Sequence, residues 1–156
     1  MTVLGPATAQ ADVDISADCG AVYSLITDLP TMASLAEENE AMKWRKGEQA
    51  APGAVFKGTN RNGFRRWSTT CTVTDAEPGR TFAFDVTYFG LPVAHWRYDI
   101  TPTDGGCRVT EGTWDRRPKW FVKPGGLATG VMDRDKANAE HIKVTLQRLK
   151  AKAEAK

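Results

Sequence analysis

The sequence predicts an α+β fold: one twisted antiparallel sheet of about seven strands, two short helices after the first strand, and a long C-terminal helix over the sheet. Three observations predict it. Between residues 41 and 114 apolar residues recur with period two, in runs separated by turn signals. Beyond residue 127 the period becomes helical, and alanine, lysine and arginine dominate. With 156 residues the chain makes one domain, 1–156, so sheet and helix must share one core.

Residues 1–10 read as a flexible lead. Residues 11–16 alternate polar and apolar, as a strand does. Ser16 or Asp18 can cap a helix in which Val22, Leu25, Ile26 and Leu29 share one face, and Pro30 should end it. A second short helix is predicted over 31–38. Met42 and Trp44 then alternate with Lys43 and Arg45 in a strand. Residues 55–60 form the next one, Asn62-Gly63 makes a hairpin turn, and the return strand runs over 64–74. Glu77-Pro78-Gly79 turns the chain again. Phe82, Phe84 and Val86 alternate in one strand, and Ala94, Trp96, Tyr98 and Ile100 in another, with a break at Gly90-Leu91-Pro92. Asp104-Gly105-Gly106 turns into the last strand, 107–114. Residues 115–126 hold two prolines and two glycines and read as a loop. The closing helix is predicted over 127–153, with Val131, Asp135, Asn138, Ile142, Leu146 and Leu149 on its inner face. Such a helix would span roughly 40 Å. It is the only predicted element long enough to cover an apolar sheet face.

Composition excludes several classes. A hydrophobic fraction of 41% and a charged fraction of 26% do not fit intrinsic disorder. No apolar run approaches the ~18 residues of a membrane span. Residues 1–11 lack the basic and apolar segments of a secretory signal, so a cytoplasmic location is expected. A net charge of +2 is too balanced for a stable nucleic-acid complex to be expected. Cys19, Cys71 and Cys107 are odd in number and widely spaced, without a metal-ligand pattern, and read as buried or half-buried reduced thiols. No phosphate-binding glycine loop occurs. No metal or cofactor is therefore implied.

The order of elements resembles the helix-grip fold of the START / birch-pollen-allergen / polyketide-cyclase superfamily (SRPBCC), in particular its polyketide cyclase/dehydrase and lipid-transport branch. Four segments carry the resemblance, which covers residues 11–153. Residues 11–29 look like the opening strand and helix. The run from Trp67 to Phe84, with Asp75-Ala76-Glu77-Pro78-Gly79-Arg80, looks like the central hairpin. Trp96-Arg97-Tyr98 through Gly105-Gly106-Cys107 to Glu111 looks like the penultimate one, and Asn138 to Lys150 like the closing helix. The chain departs from the family where a tryptophan-rich segment often follows the first helix: it has Leu29-Pro30-Thr31-Met32-Ala33. The resemblance implies a sheet curled around the long helix, leaving an apolar cavity between them.

Side chains then acquire expected places. Glu111 shares a strand face with Val109 and Cys107, which puts a carboxyl toward the interior, where it needs a partner or a proton. It reads as a ligand anchor or general acid, or as a structural hydrogen bonder. Asp135 and Asn138 lie one helical turn apart, at a polar end of the cavity or on the solvent side of the helix start. Trp67, Phe82, Phe84, Trp96 and Tyr98 would line the interior with Ile142. Glu111, Asp135 and Tyr98 are the candidate catalytic groups. His95 should face away from Trp96, and His141 lies off the inner stripe, so neither supports a nucleophilic triad. Two basic-aromatic stretches, 61–67 and 116–123, would form a basic rim if they met at one end of the sheet. The second, with Arg116, Arg117, Lys119 and Lys123, is a candidate for peripheral membrane contact.

Three functions fit. One is binding or transport of a hydrophobic small molecule, lipid or polyketide-like, between sheet and helix. Another is a cyclase/dehydratase acting in the same cavity. The last is an interaction or regulatory module using the basic loops.

Overall fold

The computed structural model describes residues 5–36, 39–131 and 133–155. Seven strands form one antiparallel sheet in the order β1-β7-β6-β5-β4-β3-β2. They are β1 (Ala9–Ile15), β2 (Asn39–Lys46), β3 (Val55–Asn62), β4 (Arg65–Glu77), β5 (Thr81–Tyr88), β6 (Leu91–Thr103) and β7 (Gly106–Asp115). From β2 to β7 each strand pairs with the next, which short hairpin turns allow. β1 instead pairs with β7, so the first and second strands become opposite edges. Two helices bridge them, α1 (Cys19–Thr27) and α2 (Leu29–Leu35). Register shifts insert extra residues in β2, β4 and β6, which bend and curl the sheet.

Asp18 caps α1, and its carboxylate accepts from the backbone N–H of Gly20 and Ala21. Asp28 both ends α1 and caps α2 through the N–H of Thr31. The second helix thus starts at Leu29, and Pro30 belongs to its first turn rather than only ending the one before. Proline fits there because the first turn has no intrahelical use for its missing N–H. Of the expected helix over 31–38, Glu37 and Glu38 lie outside the described residues.

The 64–74 return strand starts and ends differently too. Asn62 pairs with Arg65, so the tight turn is Gly63-Phe64. At the β6–β7 turn, a Cβ on Gly106 would lie 2.1 Å from the carbonyl oxygen of Ile15, so only glycine fits beneath the end of β1. The lead is also shorter than expected. Thr8 donates from its N–H to Thr113 (2.8 Å), and the Trp114 indole donates to the Gly5 carbonyl (2.7 Å). These bonds tie Gly5 to Thr8 against the outer side of β7, and residues 1–4 are outside the described part.

The largest difference lies beyond β7. The expected loop over 115–126 contains a helix, α3 (Lys119–Thr129), and the closing helix, α4, spans Arg134–Glu154. The single helix over 127–153 is broken at Gly130, whose φ of 78° is left-handed and ends α3. Asp133 then caps α4 by accepting from the N–H of Lys136. Pro124, Gly125 and Gly126 disguise α3 as loop, because they are the poorest helix formers.

Leu146 and Leu149 of α4 are fully buried, in one core with Val22, Ile26, Phe82, Val109 and Cys107. α4 packs mainly along β1 and, less, on β7. Among the described residues, no helix is long and apolar enough to cross a membrane.

Candidate functional site

The curled sheet and the N-terminal half of α4 enclose a mostly apolar cavity of about 220 Å³. Its walls come from inward residues of β3 to β7, including Phe56, Trp67, Phe84, Trp96 and Tyr98. Asn138, Ile142 and Thr145 of α4 form one side, and Phe121, Gly125 and Ala128 of α3 lie across the mouth. The cavity and the core divide α4 between them: Asn138, His141, Ile142 and Thr145 border the cavity, while Leu146 and Leu149 pack solidly.

One buried polar pair belongs to the wall. Tyr98 and Glu111 are direct partners across β6 and β7. The Tyr98 hydroxyl donates to Glu111 Oε2 at 2.7 Å. Glu111 is 3% exposed, and its Oε1 has no hydrogen-bond partner among the described residues. Burial pushes the Glu111 carboxyl up to about 8, although the Tyr98 hydrogen bond acts the other way. Burial, and then the neighbouring Glu111, hold the Tyr98 phenol well above its ordinary range. Both groups are therefore neutral at pH 7.

The mouth carries a second, charged pair. Arg117 meets Asp115 at 2.7 Å, with the Arg117 side chain 9% exposed. Burial alone would raise Asp115, but the Arg117 hydrogen bonds outweigh it and keep the carboxylate below its usual range. Arg134 donates to the Thr129 hydroxyl at 2.9 Å and its guanidinium lies 6.0 Å from the Trp67 ring centre.

Of the residues singled out in the sequence, Trp67, Phe84, Trp96, Tyr98, Glu111, Asn138 and Ile142 lie on the cavity wall. Phe82 does not: it is buried in the core, tilted against Phe84 at 5.5 Å between ring centres. Asp135 is exposed in the first turn of α4 and is not on the wall, because α4 starts later than expected and its polar first turn stays in solvent. His141 was placed off the inner stripe, yet it reaches the wall. His95 does point away from Trp96, but it is 5% exposed rather than solvated. Its Nδ1 pairs with Asp85 at 2.7 Å, and Trp114 covers it edge-on.

Asp115, Gly125 and Ala128 are not among the sequence candidates, and Arg117, expected in an exposed basic stretch, is instead a largely buried partner of Asp115. The polarity switch at Asp115, just past the inward run Val109, Glu111, Thr113, was the available signal.

At this end the first basic-aromatic stretch borders the C-terminal part of α3, beyond residue 123, and forms a rim with it. Asn62 donates to the Thr129 carbonyl at 2.9 Å, and Arg65 to the Leu127 carbonyl at 3.3 Å. Arg61 and Arg66 both reach Glu40. Phe64, Phe89, Trp120 and Leu127, the large apolar side chains left exposed among the described residues, belong to this rim or to the hairpin tips beside it. Phe89 stacks edge-on with Tyr88, and Tyr88 contacts Phe121, which contacts Trp120.

A search among curated proteins gives no match. Solved structures are similar over nearly the whole chain. The Polyketide_cyc-like protein Cgl2372 from Corynebacterium glutamicum is 24% identical, with 97% of this chain and 96% of that one covered and a TM-score of 0.60. Protein CV1439 from Chromobacterium violaceum is 14% identical, with 97% and 100% covered and a TM-score of 0.72. The di-domain ARO/CYC StfQ of the steffimycin biosynthetic pathway is also 14% identical at a TM-score of 0.72; 93% of this chain matches 50% of that one. At these identities the likeness is one of fold. The sequence itself goes further, since residues 6–154 match the family described as polyketide cyclase / dehydrase and lipid transport. Sheet, cavity and match together span the same residues, and the chain belongs to that family.

Proposed function

We propose that the protein binds a hydrophobic small molecule in the cavity between the sheet and α4. The carrying observation is an apolar cavity of about 220 Å³ whose deep wall holds one neutral polar pair, Tyr98 and Glu111. Apolar walls with a few placed polar groups are what ligand sites offer. An apolar cavity of roughly 150 Å³ takes up benzene, so this one suits a ligand of about nine carbons, a substituted ring or a medium chain. A longer lipid would have to extend through the mouth. Burying on the order of 200 Å² of apolar ligand surface contributes about 5 kcal/mol before ordering costs.

Arg116, Lys119 and Lys123 are exposed around Trp120 and make no ion pair among the described residues. Apolar tips flanked by cations favour an anionic lipid surface as the place where the mouth exchanges ligand. The balanced charge and the free thiols fit a cytoplasmic carrier.

One observation favours a second reading, a cyclase or dehydratase. A carboxyl titrating at about 8 on a cavity wall is poised for general acid or base work near neutral pH.

The test is native mass spectrometry of freshly purified protein, followed by extraction and identification of what is released. A defined adduct lost on denaturation supports the carrier. Turnover of an aromatic polyketide precursor that Glu111→Gln abolishes would favour the enzyme. Failure to bind any apolar compound of this size would sink both.

A further inference from the structure

This inference rests on reading the cavity as a ligand site. We propose that the ligand is a neutral molecule with a carbonyl-type hydrogen-bond acceptor at its buried end, and that Glu111 receives it as a carboxylic acid donating from Oε1.

The hydrogen-bond inventory leads there. Glu111 Oε2 already accepts from the Tyr98 hydroxyl. Its other oxygen, Oε1, is buried on the cavity wall and unpartnered among the described residues. No cation bonds Glu111 among the described residues. Arg117 is engaged by Asp115 at the mouth, and Arg134 by the Thr129 hydroxyl. On its other side β1 offers Ala11, which has no polar side chain. An ionised carboxylate without a countercharge in such a place is costly, so the group keeps its proton. The proton belongs on Oε1, because Oε2 faces the Tyr98 hydrogen. A buried O–H without an acceptor is itself unfavourable, by about 1–3 kcal/mol. A ligand carbonyl supplies the missing acceptor. A hydrocarbon end leaves it missing, and a carboxylate end would add a buried charge with no cation at that depth. The titration near 8 agrees with this protonation state.

The test uses the full chain and three probes of about nine heavy atoms, matched to the cavity. Acetophenone carries the acceptor, cumene is its hydrocarbon counterpart, and benzoate is the anion. Dissociation constants are measured by calorimetry or NMR titration at pH 6 and pH 9.5. At pH 6 acetophenone should bind about tenfold tighter than cumene, the equivalent of one good hydrogen bond, and benzoate weakest. At pH 9.5 the acetophenone preference should vanish. Tyr98 stays protonated and Asp115 ionised across most of this range, by the directions given above. The Glu111→Gln variant separates Glu111 from His141, which also reaches the wall. Its amide still donates, so the preference should persist at both pH values. Glu111→Leu should bind cumene but lose the preference.

Equal binding of acetophenone and cumene at pH 6 overturns the inference while leaving the cavity a ligand site. So does a preference that survives in Glu111→Leu. If none of the probes binds, the ligand-site reading falls, and this inference with it.

Discussion

Tyr98 and Glu111 face each other across neighbouring strands, and their side chains meet at 2.7 Å inside an apolar wall. The folded protein therefore holds the Glu111 proton to about pH 8, whereas an unfolded chain releases it near 4.5. Between those values the native state binds more protons, so stability falls as pH rises through the window. The size is a few kcal/mol and at most roughly 5. Glu111→Gln should flatten this part of the pH–stability curve. Chemical denaturation at pH 5 and pH 8.5 checks it: wild type should lose stability between the two, and the variant should not.

Filling the cavity should separate binding from folding. Ala94 is buried on the cavity wall. Ala94→Leu adds three carbons to space the wall leaves empty. Ligand or probe affinity should drop at least tenfold, with the melting temperature unchanged or higher. A fall in melting temperature together with retained binding would show that the side chain points into packed core instead.

The rim makes a prediction about lipid surfaces. Sedimentation with vesicles of phosphatidylcholine containing phosphatidylserine should capture the protein at low salt. Trp120→Ala should reduce capture, and Lys119→Gln with Lys123→Gln should weaken it by about 1 kcal/mol per lost cation. Equal recovery on neutral and anionic vesicles would count against the charge argument.

α3 should limit ligand exchange. Pro124 interrupts its hydrogen-bond ladder, and Gly125 sits so close to Phe121 that a Cβ would lie 2.9 Å from the ring. A proline alone disfavours helix by about 3 kcal/mol relative to alanine. Pro124→Ala should strengthen α3 and slow both probe entry and release, leaving the equilibrium constant within about twofold. Stopped-flow mixing with a fluorescent apolar probe reads both rates.

Strand alternation made the sheet and its inward residues legible, because a half-buried strand repeats every two residues. Trp67, Phe84, Trp96, Tyr98 and Glu111 lie on the wall, where that alternation and the family resemblance together put them. Phe82 obeyed the same rule and still missed the cavity, since alternation gives a face but not the position along it. α3 was hidden for a different reason. Its Pro-Gly-Gly run has the local preferences of a loop, and its helical state depends on packing over the mouth, which is a long-range effect. That single misreading displaced the start of α4 and carried Asp135 into the candidate site. It also hides that Arg117, expected in an exposed basic stretch, is buried against Asp115, which ends β7 two residues earlier.

The two halves of α4 do separate jobs. Leu146 and Leu149 anchor the fold, and substituting either by alanine would cost roughly 2–5 kcal/mol. Asn138 and Ile142 border empty space, where a change of side chain meets no packed neighbour on one side. Selection can therefore resculpt the first half to accept a different cargo while the second half keeps the molecule folded, which is one physical route by which a single scaffold diversifies.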